Sequence, residues 1–136
     1  MRNVAFLLST VVALMPALDC RAQSFDGKKP FLCATVDIAE CAPGEDCARE
    51  SAGTVNVPQF FSVDVQQGTV TATENAGSTR TSKIERVEHP PHLLRLSGGD
   101  GNAGWIAAIE ESSGKLSLAV IGDQVGFVIF GACILK

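Results

Sequence analysis

Residues 122–136 constrain the fold more than any other stretch. They are apolar on both alternate sets of positions: Val125, Phe127 and Ile129 on one, Val128, Phe130 and Ile134 on the other. No charge falls between Asp123 and Lys136. A strand of this kind has to be covered on both faces, so the rest of the chain must be arranged around it. The set with Val125, Phe127, Ile129 and Cys133 is expected inside. The set with Val128, Phe130 and Ile134 then needs a lid or a partner, and left bare it becomes a contact surface.

Cys133 gives this strand a covalent prospect. The N-terminus reads as a secretory signal: Arg2 is a short positive region, Val4 to Leu18 is an uncharged apolar run, and Cys20-Arg21-Ala22 has small residues placed for cleavage between Ala22 and Gln23. The run is too short to span a membrane, and no second run of spanning length follows. Cys20 as the acylated residue of a lipoprotein is the rival reading, and Asp19 directly before it argues against that. Removing residues 1–22 takes 22 from 136 and leaves 114, the size of one domain. It also removes one of the five cysteines. Cys33, Cys41, Cys47 and Cys133 remain, an even number in an exported chain, and read as two disulfides. Three pairings are open, and sequence alone does not choose. The Pro43-Gly44 turn favours Cys41–Cys47, leaving Cys33 to Cys133; the runner-up is Cys33–Cys41 with Cys47–Cys133.

Charge excludes some partners. The chain has 11 basic and 15 acidic residues, net −4. Losing Arg2, Arg21 and Asp19 with the signal makes it −5. This acidic chain has no basic stripe with interleaved aromatics, so neither nucleic acid nor an anionic membrane surface is an expected partner.

The rest of the chain is hairpin after hairpin. Residues 23–30 are polar with Gly27 and Pro30, and predict a flexible leader. Residues 31–40 alternate, with Leu32, Ala34, Val36 and Ile38 on one face and Phe31, Cys33, Thr35 and Asp37 on the other. Residues 42–53 form an acidic, turn-rich loop. Strands are expected over 60–65, 69–73, 82–89, 93–96, 105–111 and 115–121, joined by short turns. In the 82–89 strand Ile84 and Val87 are out of phase, as a bulge or a twist would make them. Ser97 to Gly104 reads as a glycine-rich turn. About eight strands at this spacing, with short connections and no convincing helix, predict an all-β antiparallel meander in residues 31–136. A last strand bridged to the first closes it into a barrel; a two-sheet sandwich is the alternative.

The chemistry read from the sequence is mostly negative. His89 and His92 flank Pro90-Pro91, whose extended geometry splays the rings, and no third ligand is near, so no metal site is expected. As catalytic bases they have no nucleophile motif beside them. Cys133 as a free nucleophile is outweighed by disulfide pairing. Gly98-Gly99-Asp100-Gly101-Asn102 has one carboxylate and one copy, so a tight turn outweighs a calcium loop. No catalytic residue and no cofactor is expected. Trp105, Phe60, Phe61 and Phe130, with Phe127, are the candidates to line a ligand cavity, against the competing expectation that side chains fill a small barrel.

Leu32-Cys33-Ala34, Cys41 and Cys47, Val57-Pro58-Gln59-Phe60-Phe61, Gly104-Trp105, Ser113-Gly114-Lys115-Leu116 and the run Gly126 to Cys133 together carry a resemblance over most of the mature chain. The chain resembles a set of small exported proteins of Gram-negative bacteria whose function is uncharacterised. The resemblance implies export and one domain, and carries no activity, cofactor or partner that transfers to this chain. The expected function is a soluble, non-enzymatic binding or inhibitor-type module of the bacterial envelope, periplasmic or secreted, whose partner is a protein or a small apolar ligand. An enzyme of unrecognised type using His89 or His92, and a structural envelope protein, are the alternatives.

Overall fold

The computed structural model describes residues 24–73 and 77–136. The signal peptide expected over 1–22, its cleavage point and Cys20 lie outside the described residues. Among the described residues nine strands follow in order: β1 (Phe31–Cys41), β2 (Ala48–Glu50), β3 (Phe60–Asp64), β4 (Thr69–Thr73), β5 (Thr79–Glu88), β6 (Leu93–Asp100), β7 (Ala103–Glu110), β8 (Lys115–Ile121) and β9 (Gly126–Leu135). Each pairs antiparallel with its neighbour, and β9 pairs back onto β1 from Phe31↔Leu135 to Cys41↔Gly126. The result is a closed eight-stranded antiparallel barrel, with β2 a short addition on the outer half of β1. Closure pairs every barrel edge, and the sandwich alternative does not form.

Cys33 and Cys133 face each other directly across the β1–β9 seam, both buried, and are joined by a disulfide. The second disulfide joins Cys41 and Cys47. Both follow the pairing that the Pro43-Gly44 turn favours.

Two bulges set which side chains point inward. In β1 the register slips between Thr35 and Asp37, so Val36 is the extra residue and stands 76 % exposed. This corrects the simple alternation expected for residues 31–40. Phe31 and Cys33 face in before the bulge, and Ile38 faces in after it, because one inserted residue reverses the phase. In β5 the slip lies between Ile84 and Arg86, which sets Ile84 opposite Gly98 and Val87 opposite Leu96, on one face. The two out-of-phase residues are thus reconciled by a bulge.

The segment before β1 is a correction. Residues 24–30 are not a flexible leader but a strap across one end of the barrel. Phe25 is 3 % exposed and packs edge-on against Phe31, with ring centroids 5.9 Å apart. Its backbone N–H donates to Glu111 O at 2.9 Å, and Gln66 Nε2 donates to Gly27 O at 3.3 Å, so the strap runs from the β7–β8 turn to the β3–β4 turn. Gly114 is what lets the ring in: a Cβ there would lie 2.6 Å from Phe25 Cζ. Lys28 binds Asp26 through its N–H and its ammonium, which holds the Asp26 carboxyl below the usual carboxylate range. The sequence shows this strap as polar, and the one aromatic inside it does the packing.

The expected glycine-rich turn over 97–104 is also corrected. Six of its eight residues continue β6 and β7, and the turn itself is confined to Gly101 and Asn102, with Gly101 at φ 61°.

Candidate functional site

Inward rows decide how full the barrel is. At the strapped end they are large: Phe25, Phe31, Leu94 and Leu116 are all buried. Towards the other end they shrink to Ala72, Gly98, Ala103 and Ala107. Small inward side chains set the wall back, and a cavity of about 350 Å³ remains in that half. This lies in the ~300–1,000 Å³ range of small-molecule sites. The barrel is therefore filled by side chains at the strapped end and hollow in the other half.

The deep wall is apolar: Cys33, Val63, Ile109, Leu116 and Ile129. The rim is partly roofed by residues 55–58 of the β2–β3 connection. That segment is tied down at the β1 bulge, where Thr35 N–H donates to Gln59 O and Thr35 Oγ1 donates to Pro58 O, both at 2.9 Å. Asn56, at φ 53°, lies within it and lines the rim. Polar residues on the wall are few. On β5 the inward register reads Arg80, Ser82, Ile84; the first two line the cavity opposite Ala72 and Val70.

The four candidate aromatics divide. Trp105 and Phe61 line the cavity, as does Phe127. Phe60 and Phe130 do not: they stand on the outside of the wall, 52 % and 48 % exposed. The reason is parity, since Phe60 neighbours the inward Phe61, and Phe130 the inward Ile129. Trp105 sits opposite Gly98, where a Cβ would come within 2.7 Å of the indole Cζ2 and 2.2 Å of Lys83 O, so only glycine leaves the ring room. Trp105 Nε1 is buried with no hydrogen-bond partner, a costly state for a donor. Arg80, Ser82 and the 55–58 roof are among the lining residues that the sequence did not single out. The signal available was an arginine at the inward phase of β5, which needs the register to be seen.

On the outer wall, Val128, Phe130 and Ile134 of β9 are bare, together with Ile121 of β8 and Phe60 of β3. Neither the Cys41–Cys47 loop nor the strap covers them.

No family model matches the chain, and neither does any curated protein or solved structure.

The histidines lie at the far end. Both are exposed in the β5–β6 turn, His92 at φ 66° and His89 Nδ1 3.6 Å from Glu111 Oε1. Neither lines the cavity, so an acid–base mechanism through them would have to act outside it. Among the described residues no group of three or more His, Cys, Asp and Glu side chains is placed to hold a metal ion, and no helix is long and apolar enough to cross a membrane.

Proposed function

We propose that this protein is an exported, non-enzymatic binding module that takes a small apolar ligand into the open half of its barrel. The carrying observation is the cavity of about 350 Å³, walled by Val, Leu, Ile, Phe and Trp side chains and closed at the opposite end by Phe25. Apolar walls with a few polar groups at the rim are the usual make-up of a small-molecule site. The signal-like residues 1–22 and the two disulfides support an oxidising compartment, periplasmic or extracellular.

Trp105 makes the reading testable without a label. It is the single tryptophan in a chain without tyrosine, and it lines the cavity. Titration of the mature protein with n-decanol, a neutral apolar probe, is expected to shift Trp105 emission saturably with one site per chain. An emission that stays constant up to the solubility limit of the alcohol, with calorimetry also flat, would contradict the proposal.

A further inference from the structure

We infer that the outer wall around β9 is a docking surface for a second copy of this chain, in a two-fold dimer centred near Phe130. The inference goes beyond the binding reading above and does not depend on what the cavity holds.

The strand register gathers the outward apolar side chains into one stripe. Val128, Phe130 and Ile134 occupy alternate positions of β9 and share its outer face. On one side, Ala119 of β8 stands between Val128 and Ile106 of β7. On the other, Ala34 of β1 is opposite both Ala132 of β9 and Phe60 of β3. Ile121 lies beside Gly126, where a Cβ would come within 3.3 Å of its Cδ1. Large side chains are thus separated by small ones, which gives the stripe knobs and hollows. β9 itself carries no charged residue.

The other half of the wall is polar. Outward positions of β4 to β6 hold Thr69, Thr71, Thr81, Lys83, Arg86 and Arg95. A barrel in lipid needs an apolar band all round, so a one-sided stripe fits a protein partner rather than a bilayer. Apolar side chains scattered singly need no explanation, but a contiguous stripe marks a contact surface.

Area favours a dimer. Ile106, Ile121, Val128, Phe130, Ile134 and Phe60 are each between 40 % and 64 % exposed. An aromatic side chain offers roughly 150–250 Å² and an aliphatic one somewhat less, so the six together present on the order of 500 Å². A standard interface takes about 800 Å² from each partner, a little over half of it apolar. The stripe therefore supplies the apolar share of one such interface. The closed barrel offers no paired-strand route to a partner, so the stripe is covered face on. A two-fold axis through the middle of β9 sets the two β9 strands antiparallel. It lays the Val128 half of one copy on the Ile134 half of the other, with Phe130 of each copy beside the axis. The net charge of −4 opposes self-association, but physiological salt screens it beyond about 8 Å, and the β9 face brings no charge into the contact.

Sedimentation equilibrium of the mature protein tests this. A reversible dimer with a dissociation constant in the micromolar range is expected. Phe130→Glu should weaken it at least about a hundredfold, because a two-fold interface takes each substitution twice. Phe130 is exposed, so this variant should fold, as circular dichroism checks. Ile134→Lys on the same face is expected to act in the same direction. Thr81→Glu on the polar wall is expected to leave the dimer intact. A mixture of Phe130→Glu with Phe130→Lys is expected to dimerise again, since the two charges meet at the axis. A wild type that stays monomeric up to about 200 µM would overturn the inference. So would a dimer that survives Phe130→Glu, a dimer lost equally in Thr81→Glu, or a mixture that stays monomeric. None of these results bears on n-decanol binding, which reads the inner face of the wall.

Discussion

Replacing Cys33 and Cys133 together by alanine is expected to lower the stability of the mature protein by about 4 to 5 kcal/mol. The bridge closes a loop of sequence separation 100, and the chain-entropy model gives that magnitude for a loop of this length. It joins two strands whose pairing closes the barrel, so its loss loosens the seam in the folded state as well as freeing the unfolded chain. Replacing Cys41 and Cys47 instead, at a separation of 6, should cost roughly half as much. Urea unfolding of the two paired variants checks both figures. Stability within about 1 kcal/mol of wild type for Cys33→Ala/Cys133→Ala would mean that the β1–β9 hydrogen bonds alone close the barrel.

Phe25→Ala is the second large effect. Phe25 is buried at the strapped end against Phe31 and over Gly114. Truncating a buried phenylalanine costs about 3 to 5 kcal/mol, through lost burial and the hole left behind. Here the hole opens to water at the closed end of the barrel, so binding of n-decanol should weaken along with stability. Chemical denaturation together with the Trp105 titration separates two outcomes. A loss of stability with binding also weakened is expected. A loss below about 1 kcal/mol with binding intact would make the strap a surface ornament of the barrel, contrary to its burial.

The barrel was legible in the sequence because hairpins announce themselves locally. Alternating runs such as Trp105, Ala107, Ile109 and Leu116, Leu118, Val120 fix strands and faces within a few residues. The closing strand was legible because both of its alternate sets are apolar. Bulges are different. The slip at Val36 follows from the partner strands, since one inserted residue matters only against the register of β9. Local alternation therefore assigned Val36 to the face of Ile38, and the structure exposes it. The strap escaped for the opposite reason. Its single aromatic, Phe25, is surrounded by Asp26, Gly27, Lys28 and Lys29, and periodicity has nothing to detect in one residue. The cavity was half legible. Trp105 and Phe61 were nameable as apolar and inward, but hollowness depends on which small residues, Ala72, Gly98, Ala103 and Ala107, gather at one level of the barrel. That gathering is a property of strand stagger across neighbours, and so is the inward phase of Arg80.

The outer wall was foreseen as an open question, and it is bare along β9. It lies outside the barrel, while the cavity-lining side chains face inward. Substitutions on the two faces therefore act on separate surfaces.

The most direct test of a hollow, ligand-taking barrel is to fill it. Ala107 is buried, faces inward and lines the cavity between Leu96 and Leu118 of the adjacent strands. Ala107→Leu adds three carbons to existing space. Buried apolar groups stabilise by roughly 0.8 kcal/mol per methylene, so stability should stay level or rise. With the space occupied, n-decanol should bind at least about tenfold more weakly than to the wild type, a loss of about 1.4 kcal/mol or more. Equal n-decanol affinity for wild type and Ala107→Leu, with both folded, would contradict a ligand inside the barrel.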